Sequence, residues 1–119
     1  MQAMLSDVHG RTLVIEPGIG YREEQSKYSL ITNYSLMKPE STRDFIVSGD
    51  DRYERALQLL DNCKNEFSVP DAFTLLHAVR QVGIWATRVS FVYSVNEHTV
   101  YYAENNRFEH IRKFIFPFA

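Results

Sequence analysis

Residues Thr87 to Val95 alternate along the chain. Val89, Phe91, Tyr93 and Val95 fall on one side, and Arg88, Ser90 and Ser94 on the other. Alternation of this kind is the mark of a β-strand, in which successive side chains point to opposite faces. Asn96-Glu97-His98 reads as a turn, and Thr99 to Ala103 runs back as the partner strand. Glu104-Asn105-Asn106 is a second turn, and His110 to Phe116 reads as a last strand. The end of the chain is therefore an antiparallel meander.

The beginning reads in the same way. Asp7-Val8-His9-Gly10 has the residues of a tight turn, because Gly tolerates positive φ and Asp accepts local backbone hydrogen bonds. Arg11 to Glu16 is β-branched and bounded by Pro17 and Gly18, which predicts a strand paired with one that begins almost at Met1. Gly18 to Lys27 is polar and reads as a loop or ragged edge. Tyr28 to Asn33 reads as a third strand, and Tyr34 to Gly49 as a long connection.

Two helical patterns lie between. Tyr53, Ala56, Leu57, Leu60 and Cys63 share one face of the first, with Asp50 or Ser48 as its cap. Ser68-Val69-Pro70-Asp71 is a start signal for the second. Its apolar face holds Ala72, Leu75, Leu76, Val79 and Val82, and Gly83 is the expected stop. The order β-β-β-α-α-β-β-β implies an α+β fold, an antiparallel sheet of about six strands with two helices on one face. Two helices cover one face only. Leu13, Ile15, Val92, Val100 and Tyr102 suggest that both faces carry apolar groups, so a second layer is expected from another copy or another chain.

With 119 residues the chain is enough for one domain, taken as 1–119. A net charge of −2 gives no reason to expect nucleic acid. No apolar run approaches the roughly 20 residues that span a bilayer, so no membrane partner is expected. A signal peptide is not expected either, and the single cysteine, Cys63, fits a cytoplasmic location. His9, His77, His98 and His110 lack metal-ligand spacing, and neither a metal nor a cofactor is expected.

Two polar residues are candidates for chemistry. Asn33 ends the run Ser29-Leu30-Ile31-Thr32-Asn33, and Arg52 opens a helix. An amide and a fixed cation are suited to stabilising the negative charge of acyl transfer, although neither can attack a substrate. Asn33 can also be read as a plain turn or edge residue. Arg52 can also be read as the ion-pair partner of Asp50, Asp51 or Glu54. Cys63 reads as a small core residue.

Four stretches occur in order: Asp7-Val8-His9-Gly10-Arg11-Thr12-Leu13-Val14-Ile15-Glu16, Leu30-Ile31-Thr32-Asn33, Asp50-Asp51-Arg52-Tyr53-Glu54-Arg55-Ala56 and Thr87-Arg88-Val89-Ser90-Phe91-Val92-Tyr93. Their order and spacing resemble the C-terminal part of the choloylglycine hydrolase and penicillin V acylase-like enzymes. These are linear-amide C–N hydrolases of the N-terminal nucleophile class, with an αββα sandwich fold. The resemblance covers nearly all of this chain and about the second half of a family member. It implies that Asn33 helps to stabilise the oxyanion and that Arg52 tunes the nucleophile. It also implies an N-terminal cysteine nucleophile. Here the chain begins Met1-Gln2-Ala3-Met4, and Cys63 lies far from any chain end. The expectation is a rear portion that lacks its nucleophile, is inactive alone, and pairs with a chain supplying the front half or forms a homo-oligomer. The alternative is a non-catalytic α+β protein that self-associates through its uncovered sheet face.

Overall fold

In the computed structural model, residues 2–32, 35–38, 40, 50–63 and 66–117 are described. The elements run β1 (Ala3–Ser6), β2 (Thr12–Glu16), β3 (Gly20–Glu24), α1 (Arg52–Asp61), α2 (Val69–Ala78), a 3-10 turn (Gly83–Trp85), β4 (Val89–Ser94), β5 (Thr99–Glu104) and β6 (Arg112–Ile115). The chain is α+β, and its described strands form two three-stranded antiparallel sheets, β1-β2-β3 and β4-β5-β6. This corrects the expectation of one six-stranded sheet. Each sheet is a meander closed by local turns, and Glu24 and Val89 are separated by both helices. The chain divides into two units, Met1–Leu60 and Asp61–Ala119.

In the first unit, Asp7 builds the β1–β2 turn as its sequence implies. Its Oδ1 accepts from the backbone N–H groups of His9 at 2.9 Å and Arg11 at 3.0 Å, and Gly10 has φ +80°. The β2–β3 turn was not anticipated. Ile19 N–H donates to the Glu16 carbonyl at 2.9 Å, Gly18 has φ +81°, and the chain reverses at once. Residues 20–24 thereby pair with β2, from Glu16↔Gly20 to Thr12↔Glu24. The third strand is therefore Gly20–Glu24, and Tyr28 to Thr32 form no strand. Arg22, Glu23 and Glu24 concealed it, because a charged edge strand gives no apolar alternation to read.

Helix α1 starts two residues after Asp50, whose Oδ1 accepts from Arg52 N–H at 3.1 Å. Ala56 is its buried residue. The helix ends at Asp61, so Cys63 lies beyond it and not late within it.

In the second unit, Ser68 caps α2 with a reciprocal box. Ser68 Oγ accepts from Asp71 N–H at 3.2 Å, and Asp71 Oδ2 accepts from Ser68 N–H at 3.0 Å. The helix stops at Ala78, earlier than Gly83. Val79 N–H turns to the Leu75 and His77 carbonyls, and the Arg80 guanidinium donates to the His77 carbonyl at 2.7 Å. These bonds satisfy the C-terminal carbonyls and close the helix.

Helix α2 packs against β4. Burial falls on the sheet face of Ser90, Thr99 and Ala103, while Phe73 is the buried residue of the helix. Small side chains there let the helix approach closely. Phe108 packs edge-on against Phe73 at 6.3 Å and against His77 at 5.1 Å.

Candidate functional site

The other face of the second sheet carries the large side chains. Val89, Phe91 and Tyr93 of β4 share that face with Val100 and Tyr102 of β5 and Phe114 of β6, by the register Phe91↔Tyr102, Tyr93↔Val100 and Val100↔Phe114. Phe91 is 65% exposed, Val89 55% and Phe114 54%. Phe116 meets Tyr93 at 6.0 Å and Phe114 at 5.2 Å, both edge-on. The sheet thus buries Ser90, Thr99 and Ala103, with Val92 and Tyr101 half-buried on the same face, and leaves the opposite, largely aromatic face exposed. Contiguous apolar exposure of this kind marks an interface.

Arg52 is placed by Asp50. The guanidinium Nε lies 3.0 and 3.1 Å from the two Asp50 oxygens, and an Nη lies 2.9 Å from Oδ2. A cation at a helix N-terminus opposes the helix dipole. The carboxylate offsets this by pairing with the guanidinium while it also caps the helix. The pair is mostly sheltered, with side-chain exposures of 24% for Arg52 and 12% for Asp50. Asp51 is not the partner of Arg52; it pairs with Arg55 at 2.7 Å. Asn33, the other candidate, lies outside the described residues, as does Ser48.

Sequence reasoning missed the most constrained polar residue. Glu16 is 2% exposed. Its carboxylate accepts from Ser35 Oγ at 2.8 Å, from Leu36 N–H at 2.6 Å, from Met37 N–H at 3.3 Å and from Gln2 Nε2 at 3.2 Å. Burial pushes this carboxyl up. The donors from Ser35, Leu36 and Met37, with the charge of Arg22, outweigh burial and leave it below the usual glutamate range. One carboxylate therefore fastens residues 35–38 to the end of β2. The signal was present in the alternation. Val14 and Glu16 share a face, and Val14 is fully buried, so a glutamate at the next inward position must find partners.

Each unit has an open cleft. One, of about 520 Å³, is lined by Leu5, Leu13, Asp7, Arg11 and Glu23. The other, of about 640 Å³, is lined by Phe67, Glu66, Glu97 and Tyr101. Tyr101 OH donates to Glu97 at 2.8 Å, and that bond raises the Tyr101 pKa. Arg52 lines neither cleft. Cys63 is half-buried. Among the described residues, no group of three His, Cys, Asp or Glu side chains is arranged to hold a metal. None of the helices, as far as described, is long and apolar enough to cross a membrane.

No family model matches the sequence, and searches of curated proteins and of solved structures find no match.

Proposed function

We propose that the chain is the C-terminal portion of a hydrolase of linear amide C–N bonds, and that a second polypeptide segment supplies both the cysteine nucleophile and an opposing sheet. The observation that carries this reading is the aromatic face of β4-β5-β6, uncovered on the side away from α2. In an αββα sandwich each sheet has helices on one face and the other sheet on the second face. An apolar inner face is what such packing requires. The four stretches ending in Thr87 to Tyr93 support the same reading by their resemblance.

In this account the Arg52 guanidinium, held by Asp50, lends positive charge to a thiolate, which lowers a thiol pKa. Asn33 donates its amide N–H to the developing oxyanion. Cys63 is not the nucleophile, and its single occurrence suits a cytoplasmic enzyme. A second reading rests on the same exposed face. In that case a copy of this chain covers it, and the protein is a non-catalytic homo-oligomer.

The coding DNA upstream of Met1 and the chain's own association state separate the two. The hydrolase reading expects upstream coding sequence, continuous with this chain or in a neighbouring frame, whose product begins with cysteine after Met removal and packs with this chain. A stable homodimer of the chain, with no such upstream sequence, would support the second reading and overturn the first.

A further inference from the structure

The segment that joins α2 to β4 is a pinned tip with apolar side chains at its apex. Gln81 N–H donates to Thr87 Oγ1 at 2.9 Å, and Thr87 N–H donates to the Gln81 carbonyl at 3.0 Å. Asn106 Nδ2 donates to the same carbonyl at 2.9 Å, and Ala86 N–H donates to the Gly83 carbonyl at 3.1 Å. Gly83, at φ +81°, makes the bend. Above this base Ile84 is 90% exposed, Trp85 82% and Val82 70%. A polar loop would hold such a turn equally well, so the apolar apex is not explained by folding. Because its base is already fixed, the tip loses little freedom when it docks.

The surrounding charge selects the partner. Arg80 and Arg88 flank the loop, and both are exposed. The β5–β6 connection and the start of β6 lie at the same end of the sheet, and they add Arg107 and Arg112. Among the described residues of this unit, the carboxylates at that end are Glu104 and Glu109, and His110 and His77, the latter 3.3 Å from the Arg80 guanidinium, are further titratable groups. Four arginines against two glutamates leave this end positive, in a chain whose net charge is −2. Ile and Trp beside arginines is the composition of an interfacial anchor at an anionic bilayer. Three apical side chains also fall well short of the about 800 Å² per partner that a stable protein interface buries. We infer that the Val82–Trp85 tip seats reversibly on an anionic phospholipid surface, with Ile84 and Trp85 at headgroup depth and Arg88 over the lipid phosphates. This revises the expectation of no membrane partner without invoking a span.

Trp85 is the chain's single tryptophan, so its fluorescence reports on the tip alone. The full chain is titrated with vesicles of phosphatidylcholine plus phosphatidylserine and with vesicles of phosphatidylcholine only. The inference expects a blue shift with the anionic vesicles, reversal by salt, and quenching by lipids brominated near the headgroup. Ile84→Ser, with the fold checked by circular dichroism, should weaken partitioning about tenfold. Arg88→Gln with Arg107→Gln should lessen the salt dependence. An unshifted spectrum with anionic vesicles would overturn the inference. So would a blue shift that appears without lipid and grows with protein concentration, since the tip would then be docking on protein.

Discussion

Ser35 Oγ donates to Glu16 Oε2 at 2.8 Å across 19 positions of sequence. This contact, with the Leu36 and Met37 amides on the same carboxylate, decides where residues 35–38 run. Glu16→Gln keeps the side chain's size but turns one acceptor oxygen into a donor that faces other donors. The expected cost is about 1–3 kcal/mol, the penalty for leaving buried polar groups unsatisfied. Thermal denaturation should show the loss. Hydrogen exchange should localise it, with the Leu36 and Met37 amides exchanging faster than in the wild type. Unchanged exchange at those two amides would refute the assignment.

The same carboxylate predicts an acid response. Its folded pKa lies below the ordinary 4.5, so ionisation favours the folded state. That contribution is fully present above the unfolded value of about 4.5 and is lost as pH falls through the lower, folded value. Glu24 acts in the same direction, held down by Ser29 and Arg22. The melting temperature of the wild type should therefore fall more steeply below pH 4.5 than that of Glu16→Gln. Parallel acid limbs for the two proteins would show that Glu16 does not contribute.

Asp50 has two tasks at the start of α1, and two substitutions separate them. Asp50→Ala removes both the cap and the partner of Arg52, and should cost about 0.5–2 kcal/mol. Asp50→Asn keeps an acceptor for the Arg52 N–H and loses only the charge. It should cost less, because the helix cap survives and only the charge of the pair is lost. Chemical denaturation followed by circular dichroism measures both. Equal costs would mean that the ion pair outweighs the cap.

Phe91 stands on the uncovered sheet face and is 65% exposed. Phe91→Arg should leave folding intact, within about 0.5 kcal/mol as for other exposed substitutions. It should abolish any association made through that face. Sedimentation velocity across a range of concentration tests this. An assembly that survives the substitution would place the interface elsewhere.

Most of the local structure was legible in the sequence because it rests on short-range chemistry. The Asp7 turn, the Ser68 start of α2 and the alternation of Val89, Phe91 and Tyr93 all follow from neighbours a few residues apart. Three features were not legible. Strand β3 was hidden by its charges, because the Pro17-Gly18 turn sets its register and apolar pattern does not. Helix α2 ends at Ala78 and not near Gly83; Arg80 there reaches back to the His77 carbonyl, a contact that the apolar pattern does not encode. The Glu16 anchor joins segments distant in sequence, and only the inward parity it shares with Val14 hinted at burial. Of the two candidate site residues, Arg52 sits where the alternative reading paired it, on Asp50.

The most direct test of the proposed function is amine release from a panel of N-acyl amides. The chain is assayed alone and together with the product of the upstream coding sequence, joined to it or co-purified with it. The account predicts no turnover by the chain alone and clear turnover by the assembly. In the assembly Arg52→Ala should lower kcat/KM about tenfold or more, in line with loss of charge stabilisation in a site. Turnover by the chain alone that vanishes in Cys63→Ser, or an intact assembly that releases no amine, would contradict it.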